Sequence, residues 1–184
     1  MTTVSRTWFI TGASKGIGQK LVTRLLERGD RVAATSRTTA SLTAVVGQAS
    51  DRFLPLEVDL TDDRSVQQAI EMAVRKFGVI DVLVNNAGYA QQGTVEALSD
   101  DELRQNFEVN FFAPMAILRH ALPHLRRQRS GHIINISSIV GYQGGYAGWG
   151  SYVASKFALS GLTESLAAEV AELGIRATVV YPGP

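Results

Sequence analysis

The stretch TWFITGASKGIG, residues 7–18, sets the reading of the whole chain. Thr7–Thr11 is a short apolar run of strand length, and glycines follow at Gly12, Gly16 and Gly18. Their spacing, G-x3-G-x-G, differs from the G-x-G-x-x-G of the commonest dinucleotide fingerprint, but the physical demands are similar. Gly12 permits a sharp turn. Gly16 and Gly18 allow backbone and ligand to approach closely and let a helix pack on the strand. Ile17, Leu21, Leu25 and Leu26 then recur at helical spacing. A helix starting here offers unpaired N–H groups to a pyrophosphate. A tight turn with no ligand fits the same residues, and its place after the first strand of a βαβ unit favours the phosphate reading. Ser14, Lys15 and Ile17 join the three glycines as candidate cofactor contacts.

Outward from this loop, strand-like and helix-like patterns alternate. Strands are expected at 31–35, 53–58, 79–85, 132–137 and 175–181. Helices are expected at 17–28, 39–48, 62–76, 99–128 and 151–173, with Pro114 bending or dividing the fourth of these. VIDVLVN (79–85) is almost continuously apolar, as a strand buried on both faces would be. Pro55 lacks a backbone donor, which predicts that 53–58 lies at a sheet edge. The alternation implies parallel βαβ units in one α/β domain spanning 1–184: a doubly wound, three-layer Rossmann fold with strand order 3-2-1-4-5-6.

Composition narrows the function classes. Eighteen basic residues nearly balance seventeen acidic ones, for a net charge of +1, so there is no electrostatic case for nucleic acid. Arg126, Arg127 and Arg129 read as the solvated end of a helix. The absence of cysteine excludes disulfides and thiolate chemistry and is compatible with a reducing cytoplasmic setting. No apolar run approaches the ~20 residues needed to span a bilayer. His120 and His124 are four apart on a predicted helix, but no carboxylate stands at a suitable spacing, and no metal is expected.

The end of the second strand selects the cofactor. An acidic residue there would bind the ribose hydroxyls of NAD and repel a 2′-phosphate. The residues are instead Ser36 and Arg37. Arg37 offers a charge-assisted fork, Lys15 adds a second charge and Ser36 a hydroxyl. Both cations can also be merely solvated, yet the balance favours NADP(H) over NAD(H). Asp59, with Leu60 beside it, ends the third strand. It is read as accepting a hydrogen bond from the adenine amino group, the alternative being a cap near Thr61 and Asp62.

Tyr152 and Lys156 are four apart on a predicted helix and share a face. A neighbouring ammonium favours a phenolate, and such a tyrosine can pass a proton to or from a carbonyl oxygen. The pair alone is also compatible with a bland helical surface. Its neighbours sharpen it. Asn135-Ile136-Ser137-Ser138 ends the fifth strand, and Asn85-Asn86-Ala87-Gly88 the fourth. Both lie at the carboxyl edge where doubly wound sheets bind ligands. The Ser138 hydroxyl can donate to a substrate oxygen. The asparagines can tie adjacent strands together.

With these residues in place, the sequence resembles the short-chain dehydrogenases/reductases. TGASKGIG (11–18) is similar to that family's cofactor loop, NNAG (85–88) to its structural motif, and Asn110 in VNFF to its catalytic asparagine. ISS (136–138) with YVASK (152–156) is similar to its catalytic core, and Pro182-Gly183 to the turn beside the nicotinamide. The resemblance covers essentially the whole chain. It implies that Tyr152 is the general acid/base, that Lys156 favours its phenolate and holds the nicotinamide ribose, and that Ser138 orients the substrate. It implies that Asn110 supports a relay water, and that Asn86, Ala87, Gly88 and Val109 line the cofactor.

The expected function is NADP(H)-dependent interconversion of a carbonyl and an alcohol on a small organic substrate, by a homodimer or homotetramer. The alternatives are a non-catalytic nucleotide-binding protein with a regulatory role and an extended relative acting on sugar nucleotides. Two features depart from the family. The Ser138–Tyr152 spacing is one residue longer than is common, and the Gly-rich loop 141–150 can absorb it. Family members also continue past the Pro-Gly turn through a substrate-binding segment and a last strand, whereas this sequence stops at Pro184. Three readings are open: part of a longer chain, a deliberately shortened one, or a naturally short protein. Tyr142, Tyr146 and Trp149 either line a substrate pocket or stand at an exposed surface. Leu159, Leu162 and Leu166 either join subunits or fill one subunit's core.

Overall fold

A computed structural model describes residues 5–183; Met1–Val4 of the polar start, and Pro184, lie outside the described residues. Strands and helices alternate as β1 (Thr7–Ile10), α1 (Gly16–Glu27), β2 (Arg31–Ser36), α2 (Thr39–Val46), β3 (Phe53–Glu57), α3 (Asp63–Phe77), β4 (Val82–Asn85), α4 (Asp100–Phe107), α5 (Ala113–Gln128), β5 (Gly131–Ile136), α6 (Gly150–Val170) and β6 (Ile175–Val180). The strands form one parallel sheet in the order β3-β2-β1-β4-β5-β6, the doubly wound order expected from the alternation.

Both faces of the central strands are packed, which is why β4 reads as an almost unbroken apolar run, whereas alternate residues of β6 are exposed. Successive side chains of β1 illustrate the two-sided packing. Phe9 joins Leu83 and Ile133 beneath α3, α5 and α6, where Ile70, Ile117, Leu125 and Leu166 meet it. Ile10 faces the other way, joining Val32 and Val84 beneath α1 and α2 through Val22, Leu25 and Leu42. Each fully buried side chain of this size contributes about 1.5–3 kcal/mol.

Pro55 sits on the edge strand β3, opposite Ala34. Val32 N donates to Arg52 O, and Val58 N to Ser36 O. The ladder to β2 therefore runs through the even-numbered residues of β3, and the missing donor of Pro55 faces away from it.

Helix ends follow local chemistry. Asp62 caps α3 by accepting from Arg64 N, and Arg75 and Lys76 fill its last turn. Ser99 and Glu102 form a capping box at the start of α4. The expected helix 99–128 is divided by a single π-helical turn, Glu108–Phe112, and Pro114 falls in the first turn of α5. Pro114 cannot donate to the carbonyl of Asn110 four residues back, and its ring crowds that carbonyl. A second proline, Pro123, lies inside α5.

Leu159 and Leu166 are buried within this chain, and Leu162 packs partly against the core. The exposed apolar side chains of these helical segments are instead Phe112, Met115 and Phe157. His120 does find a carboxylate, from another helix: Asp63 of α3 accepts from Arg119 at 2.6 Å and lies 2.9 Å from His120 Nε2. No helix among the described residues is long and apolar enough to cross a membrane.

Replacing Leu83, fully buried at the centre of the sheet, by alanine is expected to lower stability by about 2–5 kcal/mol. Pro55→Val should change it by less than about 0.5 kcal/mol, because no ladder bond depends on that nitrogen. Urea unfolding of the two variants measures both.

Candidate active site

The loop between β1 and α1 is held from outside by β4 and its following residues. The Asn86 side-chain amide donates to the carbonyls of Thr11 and Gly12, both at 2.9 Å. The backbone N–H groups of Asn86 and Ala87 both donate to Thr11 Oγ1 at 3.0 Å. Two glycines are required by this fit. A Cβ on Gly12, whose φ is +65°, would lie 2.8 Å from Ala87 Cα, and one on Gly18 would lie 2.6 Å from Gly12 O. Gly18 is buried against its own loop, the close helix–strand packing expected of it. Gly16, with φ +60°, instead borders open space.

The start of α1 is uncapped. Lys15 stands at the cap position without a side-chain hydrogen bond, and the first turn contains no acidic residue. Its N–H groups and dipole are therefore available to an anion. Ser14 is half-buried, and Lys15 and Ile17 are exposed. Arg37 is exposed beyond β2, and among the described residues neither Lys15 nor Arg37 forms a salt bridge. Ser36 differs from expectation: it is buried, and its hydroxyl donates to Thr38 O at 2.6 Å, which removes it as a ready phosphate donor. Asp59 is exposed, and its Oδ1 accepts from Thr61 N at 2.9 Å and Thr61 Oγ1 at 2.7 Å. These bonds hold its carboxyl below the usual range. Leu60 packs partly against the core.

The second group of candidates gathers where β5 meets α6. Ser138 opens a tight turn, Ile139–Gly141, and its Oγ accepts from Val140 N at 3.4 Å. That turn is pressed onto α6. Ser137 Oγ donates to Lys156 O at 3.1 Å, and Ser160 Oγ reaches both Gly141 O at 3.1 Å and Lys156 O at 2.9 Å. A Cβ on Gly141 would overlap Ser137 Oγ and lie 2.9 Å from Lys156 Cβ, so only glycine allows this contact. Lys156 is buried and donates to Ile136 O at 2.8 Å, with its Nζ 5.8 Å from the centre of the half-buried Tyr152 ring.

Asn110, fully buried in the π-helical turn, ties the next layer. Its side chain accepts from Tyr89 N and donates to Tyr89 O and Ser155 Oγ, each at 3.0 Å. Ser155 in turn donates to Tyr152 O at 2.8 Å. A Cβ on exposed Gly88 would lie 2.9 Å from Asn110 Oδ1 and 3.2 Å from Lys156 Nζ, which puts the NNAG segment beside the lysine. Asn85 donates to Asn135 at 2.8 Å across β4 and β5, and Asn135 to Thr163 of α6 at 2.8 Å. Val109 is half-buried, and Pro182 O accepts from Ile139 N at 2.9 Å, bringing the Pro182-Gly183 turn beside Ser138.

A family model described as short chain dehydrogenase matches residues 6–184. The chain belongs to the short chain dehydrogenase family. It is 40% identical to Oxidoreductase BOA17 of Botryotinia fuckeliana over 98% of its own length, and spans 66% of that protein. Among solved structures it is similar to ElxO with NADP bound, with a TM-score of 0.90 and 31% identity, covering 98% of this chain and 74% of the other. It is also similar to the 3-ketoacyl-(acyl-carrier-protein) reductase of Brucella melitensis complexed with NADH. The TM-score there is 0.91 at 28% identity, covering 97% of this chain and 75% of the other.

In this short chain dehydrogenase the candidate residues line an open carboxyl edge of the sheet. A cavity of about 420 Å³ lies instead at the amino edge, lined by Arg6, Asp81, His132 and Arg176 among others, and contains none of them. Sequence reasoning missed the buried roles of Ser155 and Ser160 in α6. Serines are common on exposed helix faces, and their burial here follows from how α6 packs on β5.

Burial pushes the Lys156 ammonium from its ordinary 10.5 down to about 8. A depression of that size corresponds to about 3 kcal/mol of desolvation borne by the fold at neutral pH. Below pH 8 folded and unfolded chains both hold the proton. Between pH 8 and 10.5 only the unfolded chain does, so this residue's contribution to stability rises with pH through that window. Lys156→Met is therefore expected to raise stability at pH 7 by about 1–3 kcal/mol and to flatten the rise above pH 8. Urea unfolding at pH 7 and at about pH 9.5 measures this, and a less stable variant at pH 7 would contradict it.

Proposed function

We propose that residues 1–184 form one dinucleotide-binding domain of an NADP(H)-dependent oxidoreductase that interconverts a carbonyl and an alcohol on a small organic substrate. The observation that carries this reading is an ammonium, Lys156, buried beside the Tyr152 ring at the same sheet edge as an uncapped glycine loop. A buried cation is costly in any fold, and a general-acid tyrosine beside it is a chemical reason to retain it.

The residues fit a phosphorylated dinucleotide. Open space at Gly16 and the free N–H groups of α1 suit a pyrophosphate, with Gly12, Ser14, Ile17 and Gly18 shaping the approach. Arg37 and Lys15 carry two charges without carboxylate partners among the described residues, and no acidic residue ends β2 to repel a 2′-phosphate. Asp59 and Leu60 would flank the adenine; its bonds to Thr61 leave Asp59 anionic. Asn86, Ala87, Gly88 and Val109 would line the adenosine-ribose side. Tyr152, Lys156, Pro182 and Gly183 would meet the nicotinamide end.

When bound, the cofactor supplies or accepts the hydride. Ser138 accepts one N–H, so its own proton is free to meet the substrate oxygen. Tyr152 gives that oxygen a proton in reduction and takes it back in oxidation, and the Lys156 ammonium favours the phenolate. The side chain of Asn110 is engaged by Tyr89 and Ser155. A relay water would therefore be held by its backbone carbonyl, which Pro114 leaves without its helical donor. Phe112, Met115 and Phe157 are exposed apolar side chains through which two or four copies would associate.

Tyr152→Phe is expected to lower carbonyl reduction by at least about 100-fold while NADPH affinity stays within about twofold. Steady-state rates on an aldehyde and ketone panel, with cofactor binding by fluorescence, test this; undiminished turnover refutes it. Arg37→Asp should shift the NADPH-to-NADH preference toward NADH by about tenfold or more. A wild-type preference for NADH would overturn the cofactor assignment.

A further inference from the structure

The loop joining Ser138 to Tyr152 has a composition that the reaction chemistry does not require. Residues 139–150 read IVGYQGGYAGWG: no charge, five glycines, and three aromatic side chains. Gly145 and Gly148 adopt φ values of +99° and +75° that suit glycine, so the loop folds back on itself in tight turns. It is anchored as well. Trp149 N donates to Tyr146 O at 3.2 Å, and Gly93 N from the loop after β4 donates to Gly148 O at 2.9 Å.

These aromatics flank the two reacting side chains. Trp149 packs on Tyr152 itself, with ring centres 5.9 Å apart and planes tilted by 58°. Tyr142 meets Tyr181 edge to face at 5.7 Å. Tyr181 lies beside Ser138, because the residues on either side of it, Val180 and Pro182, accept backbone hydrogen bonds from Ser137 and Ile139. One aromatic ring thus packs on Tyr152, and the other pair includes Tyr181, whose backbone runs alongside that of Ser138. Tyr142 is 72% exposed, and Ile139 and Tyr146 are exposed too. Apolar surface of this kind beside reactive polar groups marks a ligand-facing wall. The lack of any charged residue across the loop leaves nothing in it to pair with a carboxylate, phosphate or ammonium on a substrate.

Building on the carbonyl-reducing reading above, we propose that the substrate is neutral and carries a planar ring system next to its carbonyl or alcohol carbon. The ring lies against Trp149 on one side and the Tyr142–Tyr181 pair on the other, which favours offset and edge-to-face contacts over a flexible aliphatic chain.

The test compares acetonaphthone with a straight-chain methyl ketone of equal carbon number and with a carboxylated aryl ketone, using NADPH and the wild-type chain. The neutral ring ketone is expected to have a kcat/KM about tenfold or more above either comparator. Tyr142→Ala should lower that value about fivefold or more, and by clearly more than it lowers the aliphatic rate, with NADPH affinity unchanged, and Tyr142→Phe should restore it. Binding is followed separately through the Trp149 fluorescence quench by acetonaphthone, with Trp149→Phe as control. Saturable quenching without turnover of any ketone keeps the ring site and refutes the catalytic reading. Absent quenching, or equal or higher kcat/KM for the aliphatic or charged ketone, overturns the ring assignment.

Discussion

The Asn86 amide bonds to the carbonyls of Thr11 and Gly12, and the hydroxyl of Thr11 receives the N–H groups of Asn86 and Ala87. This exchange is the constraint on which the rest of the carboxyl edge depends. Parallel strands end where their chains turn away into loops, and the backbone groups at those ends lose their ladder partners. Side-chain amides and hydroxyls replace them here. Asn86 fixes the glycine loop against β4, the Asn85–Asn135–Thr163 chain fixes β4 to β5 and α6, and Ser137 with Ser160 fixes the Ser138 turn to α6. The glycine loop, the Ser138 turn and the α6 segment that carries Tyr152 and Lys156 are therefore positioned by side-chain hydrogen bonds that are mostly buried.

Lys156 shows the energetic consequence of that arrangement. Its ammonium is buried, has Ile136 O as a partner, and is held well below its ordinary affinity for protons. An apolar side chain would suit the same volume better. The surrounding fold sustains the charge because α6 is anchored on both sides, through Ser160 to the Ser138 turn and through Ser155 to Asn110. Asn110 itself depends on a local irregularity. Pro114 breaks the helical ladder at the point where the Asn110 side chain must reach both Tyr89 and Ser155. A buried ammonium and an interrupted helical ladder both cost stability, as strained positions in a fold commonly do.

The loop between β5 and α6 is built differently. The glycine loop and Lys156 rest on hydrogen-bonded strand ends, whereas beyond the anchored turn Ile139–Gly141 this loop uses glycine turns and aromatic rings. Its uncharged, ring-bearing surface stands next to Tyr152 and the buried Lys156.

By itself the sequence determined the alternation of elements, the strand order, the edge position of Pro55 and the family. These follow from hydrophobic periodicity, turn residues and motif spacing, which are local properties. It also grouped Asn110, Ser138, Tyr152 and Lys156, though only as a resemblance. The tertiary structure decided what no local pattern records. Gly18 faces its own loop, and Ser36 turns its hydroxyl inward to Thr38. Leu159 and Leu166 fill the core, leaving Phe112, Met115 and Phe157 outside. Ser137, Ser155 and Ser160 become buried ties. The reason is physical: burial and hydrogen-bond partners depend on which surfaces of separate elements meet, and that is settled only when α6 closes onto β5 and the loop after β4 closes onto β1.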